Sequence, residues 1–220
     1  MPALVEAGPF SARNGEGRQL FDGVRVELGE GQLAVLDGPS GSGKSTLLRQ
    51  LVGLETADGV ERRLAGETFE PSSLPGWRAR VTLVAQDAPM LAGTVGDNLR
   101  FAFAQRAAAG RTVDESRLAE LMSATGLAGI PESRDAATLS GGERHRLALV
   151  RGLLWDPAVL VADEPMSGLD TAAAEACFAL LLDFAHRPDH GALCVLHDAT
   201  QKRAADVRLH LGGTAGGGSP

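Results

Sequence analysis

The chain has 220 residues, 44% of them apolar and 22% charged, with a formal net charge of −7. That composition suits one globular domain, or one domain carrying a small subdomain. The acidic balance and the lack of a dense Lys/Arg block argue against a nucleic-acid surface, so no nucleic-acid partner is expected.

At the N-terminus, "MPALVEAGPF" lacks a basic segment followed by an apolar core, and no secretory leader is expected. "RVELGEGQLAVLDG" reads as two strands about a turn at Gly29–Gly31, the second ending in a glycine loop. "KSTLLRQLVGL" follows with Leu47, Leu48, Leu51, Val52 and Leu54 at helical spacing. "RVTLVAQD" is a buried-strand candidate, and from "DAPMLAGTVGDNLRFAF" to "ESRLAELMSATGL" the pattern turns helical. Then come a helix in "GGERHRLALVRGLLW", a strand in "PAVLVADEP" and a helix in "DTAAAEACFALLLDFAH". A strand in "GALCVLHD", a short helix in "ATQKRAAD" and a last strand in "VRLHL" complete the series. The longest apolar run, near "ACFALLLDFA", is too short to span a bilayer, so any membrane role has to come through a partner. Cys177 and Cys194 sit in apolar runs without metal-ligand spacing and read as small core residues.

Strands alternating with helices predict an α/β fold with a mostly parallel sheet covered on both faces. Residues 87–138 break the alternation and are expected to form a helical subdomain inserted in a core made of 1–86 and 139–211. Residues 212–220 have the composition of a flexible tail.

The glycine loop is the most specific feature. Gly38, Pro39, Ser40, Gly41, Ser42, Gly43, Lys44 and Ser45 fit G-x-x-x-x-G-K-[ST] between a strand and a helix, and Thr46 continues the helix. Glycines let consecutive backbone N–H groups converge on phosphate oxygens, and the helix N-terminus adds its positive dipole end. Lys44 would reach the β- and γ-phosphates, and the Ser45 hydroxyl would ligand Mg²⁺. The competing reading, a glycine-rich loop that only turns the chain, does not account for the strand–loop–helix context. "VLVADEP" delivers Asp163 and Glu164 at the C-terminal end of an apolar strand, where open α/β sheets bind ligands. Asp163 suits Mg²⁺, and Glu164 suits orienting and deprotonating a water. In "LSGGERHR", Ser140, Gly141 and Gly142 form a second small-residue cradle before a helix. A plain N-cap is the alternative for this motif alone. A second cradle makes sense if it closes over nucleotide held by another copy.

Taken in order, the phosphate loop, Gln86, "LSGGE", the Asp-Glu strand, "SGLD" and His197 resemble the ATP-binding cassette ATPases, from about residue 18 to residue 211. The resemblance implies a P-loop NTPase core with antiparallel N-terminal strands, and ATP and Mg²⁺ as cofactors. It gives Glu164, His197 and Gln86 catalytic roles, with Ser45, Gln86 and Asp163 around the metal. Asp170 of "SGLD" would link the two active sites across a head-to-tail homodimer, a helix N-cap being its other reading. The partners implied are an integral membrane permease and a second copy, at the cytoplasmic face of the inner or plasma membrane. The family usually offers an aromatic ring for adenine shortly upstream of the phosphate loop; the chain has no tyrosine, and the comparable place falls at Arg13, with Phe10 nearby, the flat guanidinium being able to stack on a base. "VTLVAQDAPMLAGTVGDNLRF" is similar to the small ATPase subunits assigned to iron export. A lipoprotein or peptide exporter ATPase and a DNA-repair type of cassette ATPase are the alternatives.

Overall fold

The computed structural model describes residues 3–212, and the rest of the tail expected at 212–220 lies outside the described residues. Two sheets organise the chain. The first four-stranded sheet is antiparallel and contains β1 (Ala3–Arg13), β2 (Gln19–Gly29), β4 (Glu61–Leu64) and β5 (Glu67–Thr68), in the order β2-β1-β4-β5. The second is parallel and contains β3 (Gln32–Asp37), β6 (Val81–Val84), β7 (Val159–Asp163), β8 (Gly191–Val195) and β9 (Val207–His210), in the order β6-β7-β8-β3-β9. The two strands expected around Gly29–Gly31 are β2 and β3, but they do not pair: the turn carries the chain from one sheet into the other.

The parallel sheet is covered on both faces, and the residues say how. Leu33 and Val35 of β3, Leu160 and Ala162 of β7, and Ala192 and Cys194 of β8 belong to one buried cluster. Their neighbours Ala34 and Leu36, Val159 and Val161, and Leu193 and Val195 belong to the other. Successive side chains of a strand point to opposite faces, so strands buried on both sides are apolar throughout. The first cluster adds Val95 and Leu99 of α3 (Val95–Arg100) and Leu118, Leu121 and Met122 of α4 (Glu115–Ala124). Leu147 to Val150 of α5 (Gly141–Trp155) and Cys177, Leu181 and Phe184 of α6 (Thr171–Ala185) belong to it as well. The second joins Leu47, Leu48 and Leu51 of α1 (Lys44–Leu51) and Trp77 of α2 (Leu74–Arg80) to the inner face of the antiparallel sheet. Each fully buried leucine of this kind contributes about 1.5–3 kcal/mol. The short helix α7 (Ala199–Arg203) leads into β9.

α1 stops at Leu51, one turn short of the expected Leu54, for a reason the local pattern does not contain. The buried guanidinium of Arg62 donates to the carbonyls of Gln50 (2.7 Å) and Leu51 (3.3 Å), and the Trp77 indole N–H donates to Leu51 O at 2.8 Å. These side chains satisfy carbonyls that a longer helix would have used, and Gly53 turns away at φ +74°. Residues 87–138 contain α3 and α4 but no strand of either sheet. Within the helical expectation for 87–138, the first α-helix begins only at Val95, and residues 87–93 are loop. No described helix is long and apolar enough to cross a membrane.

Candidate functional site

The glycine loop joins the buried interior strand β3 to α1, so the strand's carboxyl end fixes its base. Gly38, Gly41 and Gly43 have φ of +152°, +75° and +96°. A Cβ on Gly38 would lie 2.0 Å from the Leu211 carbonyl oxygen, and one on Gly43 would meet the Phe21 ring at 2.9 Å. Both positions therefore exclude side chains by sterics as well as by backbone conformation. Asp37, just before the loop, accepts from Gly38 N–H (2.9 Å) and from Lys202 of α7 (3.0 Å), which ties the loop entrance to α7. The Lys202 ammonium, then the Gly38 amide, hold the Asp37 carboxyl below its ordinary range.

Lys44 Nζ donates to the carbonyls of Gly38 (2.9 Å) and Pro39 (3.0 Å), so the ammonium lies folded over the loop. The Ser42 hydroxyl is buried without a partner among the described residues. A cradle closed to side chains, with an unused hydroxyl, a lysine and the first turn of α1, fits a phosphate group. Ser45 and Thr46 lie in that first turn. Ser45, Asp163 and Gln86 bring a hydroxyl, a carboxylate and an amide oxygen, the hard donors Mg²⁺ prefers.

The second half of the site converges on Glu164. β7 ends at the buried Asp163, and Glu164 then adopts a left-handed conformation at φ +50°, at a cost of about 1–3 kcal/mol. Its amide donates to Val195 O at the end of β8 (3.2 Å). Gln86 Nε2 donates to Glu164 Oε2 at 3.0 Å, and His197 Nε2 lies 2.7 Å from Oε1. Three residues expected to be catalytic, on the ends of three neighbouring parallel strands, thus meet at one carboxylate. Each carboxylate oxygen keeps a second lone pair, so both contacts leave room to accept from a water. A cleft of about 600 Å³ runs from Glu164 and His197 between α6 and α7 past Phe178 and Leu182, and the glycine loop does not line it.

Ser140 and Asp170 both cap helices. Ser140 Oγ accepts from Glu143 N (3.3 Å) while Glu143 Oε2 accepts from Ser140 N (2.7 Å), a capping box at the start of α5. The Ser140 amide, foremost, and Arg134 hold the Glu143 carboxyl below its ordinary range. Ser140 and Gly141 are exposed. Asp170 Oδ1 accepts from Ala173 N at 2.9 Å, capping α6. Arg13 is exposed at the end of β1, opposite Gln19, with Nη1 donating to Gly17 O at 2.9 Å. The adjoining Leu20 and Phe21 abut Gly43, and Gln50 of α1 donates to Ser11 O (3.1 Å), so the hairpin end borders the glycine loop.

Sequence reasoning missed two residues here. His145 Nε2 lies 2.8 Å from the carbonyl oxygen of Gln86, linking α5 to the loop after β6. Arg134 reaches Glu143 with two guanidinium nitrogens. Neither has a local signal beyond its position near "LSGGERHR".

A parallel sheet bearing a glycine phosphate cradle, with paired carboxylates at the next strand end but one, defines a P-loop nucleotide-binding domain. The chain belongs to the ABC transporter family, whose profile matches residues 21–167. It is 35% identical over 209 residues to the Fe(3+) ions import ATP-binding protein FbpC of Streptomyces coelicolor, covering 94% of this chain and 59% of that protein. It is 35% identical over 196 residues to the aliphatic sulfonates import ATP-binding protein SsuB 2 of Burkholderia cenocepacia, covering 89% of this chain and 66% of that one. The phosphonates import ATP-binding protein PhnC of Thiobacillus denitrificans is 34% identical over 215 residues, at 93% and 83% coverage. The chain thus spans about six-tenths of the length of the first two relatives. In fold it is similar to a bacterial Atm1-family ABC exporter with ATP bound (TM-score 0.77, 23% identity, 95% of this chain and 37% of that one). It is also similar to cbiO1 from Clostridium perfringens, part of the ABC transporter complex cbiONQ (TM-score 0.74, 19% identity, 96% and 85%).

Proposed function

We propose that the chain is the ATP-hydrolysing subunit of a membrane transporter, working as a pair of copies that enclose ATP head to tail at the cytoplasmic face of the membrane. The observation that carries this is the convergence of Gln86 and His197 on Glu164 at the carboxyl ends of β6, β7 and β8, in the sheet whose β3 leads into the phosphate cradle. Gly38 to Ser45 and Thr46 hold the phosphates, with Lys44 turning from its loop carbonyls to the β- and γ-oxygens. Ser45, Asp163 and Gln86 would hold Mg²⁺, which when bound would neutralise charge on the phosphoryl group. Glu164 orients the attacking water and takes its proton; His197 holds Glu164 and faces the γ-phosphate; Arg13 stacks on the base.

In this reading Ser140, Gly141 and Gly142 of one copy close on the nucleotide of the other, and Asp170 works across the same junction. ATP makes contacts only in the closed pair and so shifts the open–closed equilibrium; loss of the γ-phosphate reopens it. Residues 87–138 form the helical insert, and its loop after Gln86 passes the nucleotide state to an integral membrane permease. The family membership and the names of the relatives support transport. One relative's name supports iron as cargo, beside sulfonate and phosphonate. Those names are of importers, so the export direction expected from residues 81–101 draws no support from them. The proposal on cargo is therefore iron, with direction set by the permease.

The deciding experiment is Glu164→Gln. ATP turnover is expected to fall by about 100-fold or more, with a stable ATP-bound dimer appearing in light scattering. Wild-type turnover without a trapped dimer would overturn the reading.

A further inference from the structure

The start of α5 holds a full negative charge where the paired reading brings a phosphate. Glu143 occupies the first turn and turns its carboxylate back onto the Ser140 amide. A helix N-terminus accommodates one anion well, because its unpaired N–H groups and dipole face outward. A second anion at the same end competes for those donors and is repelled by the first. The triphosphate of another copy would be that second anion.

The chain answers with a residue from outside the helix. Arg134 Nη1 donates to Glu143 Oε1 (3.1 Å) and Nη2 approaches Oε2 (3.4 Å), so the guanidinium grips both oxygens. Both side chains are largely covered, at 33% and 21% exposure. The arginine is itself fixed: Nε donates to Thr138 Oγ1 (3.1 Å), Nη2 to Thr138 O (2.9 Å), and its carbonyl accepts from Val95 N (2.9 Å). A guanidinium held at every nitrogen matches a carboxylate in orientation as well as charge. Arg146 does not substitute for it, because it donates to the carbonyls of Gly142 and Thr125. The Ser140 hydroxyl accepts from the Glu143 amide in the same box.

We propose that Arg134 is a positioning residue of the shared nucleotide site: it neutralises Glu143 and holds it on the Ser140 amide, so that α5 of one copy meets the γ-phosphate of the other as a donor surface rather than a negative one. The proposal rests on the paired reading above.

The test uses Glu164→Gln as the parent, with dimer formation followed by light scattering against ATP concentration. Binding of a fluorescent ATP analogue to the monomer is read in parallel. Adding Arg134→Ala raises the ATP concentration for half-maximal pairing on the order of tenfold, with monomer binding unchanged. Adding Glu143→Gln to that variant restores pairing to within about twofold of the parent, because the uncompensated charge is gone. Glu143→Gln alone pairs at an ATP concentration no higher than the parent's. High salt narrows the Arg134→Ala defect. A double variant as impaired as Arg134→Ala would make the arginine purely structural and overturn the proposal, as would unchanged pairing in Arg134→Ala. A parent that never pairs at any ATP concentration overturns the paired reading and this proposal together; pairing that ignores Arg134 overturns this proposal alone.

Discussion

Gly38 carries more of the site than a glycine in a loop ordinarily does. At φ +152° and with Leu211 O 2.0 Å from where a Cβ would stand, it lets the chain turn beneath β9 and begin the phosphate cradle. Gly38→Ala is expected to push β3 and the segment after β9 apart and to collapse the cradle. Thermal melts should show a lower Tm and no rise on adding ATP, whereas ligand at a hundred times its Kd stabilises an intact site by about 2.7 kcal/mol. An ATP-dependent rise equal to the wild type's would sink the argument. Glu164 is the second unusual residue: a non-glycine in the left-handed region, its side chain shared between Gln86 and His197. Its place in the sequence, after an apolar strand, pointed to a carboxylate at a strand end. Its two partners are 78 and 33 positions away (164 − 86 and 197 − 164), and only the sheet order brings them there.

At the scale of elements, α1 shows how a helix that carries a phosphate loop is anchored from its other end. The N-terminus must stay open to a ligand, so fixing the helix falls to its C-terminus. Trp77 and Arg62 do this by binding the last carbonyls, and Trp77 also packs edge-on against Phe69 at 5.4 Å. Trp77→Ala leaves a cavity and frees the Leu51 carbonyl in a buried place. It should cost about 3–5 kcal/mol in urea unfolding. A loss under 1 kcal/mol would show that α1 is held elsewhere. α5 presents the opposite case. Its capping box was partly legible, since "SGGE" has Ser and Glu three apart before an apolar run. The Arg134 fork was not, because that contact crosses a loop with no periodicity to read.

For the whole molecule, four carboxylates among the described residues sit below their ordinary values. Burial pushes Asp206 up, but the Leu33 amide and then His186 bring it below. Asp37 is held by Lys202 and then Gly38; Asp97 by the amide and then the hydroxyl of Thr94; and Glu143 by the Ser140 amide first. A folded-state pKa below the unfolded one means that the unfolded chain binds more protons in between, so stability rises with pH there. The contribution is complete above about pH 4.5, the ordinary glutamate value, and is lost as pH falls through the depressed values. Denaturant midpoints should therefore be flat in this respect near neutrality and decline below pH 4.5. A midpoint that rises on acidification would contradict the assignment. The strand alternation that splits the buried residues into two clusters is also a property of this scale, because one parallel sheet separates two cores.

By itself the sequence determined the parts whose cause is local. The phosphate loop was legible because positive φ and close backbone approach demand glycine at fixed spacing. The Asp-Glu strand and its buried neighbours were legible because a strand covered on both faces must be apolar throughout. Cys177 on α6 and Cys194 on β8 were placed in the core because each sits in an apolar run, and both are buried. Tertiary structure decided what depends on which distant segments share a sheet edge. It put β2 and β3 in separate sheets across a two-residue turn, ended α1 with side chains from β4 and α2, and gathered Gln86, Glu164 and His197 at neighbouring strand ends. It also set Arg134 against Glu143. Propensity and periodicity act over one or two turns of chain, whereas these contacts follow from strand order and core packing, which no single segment encodes.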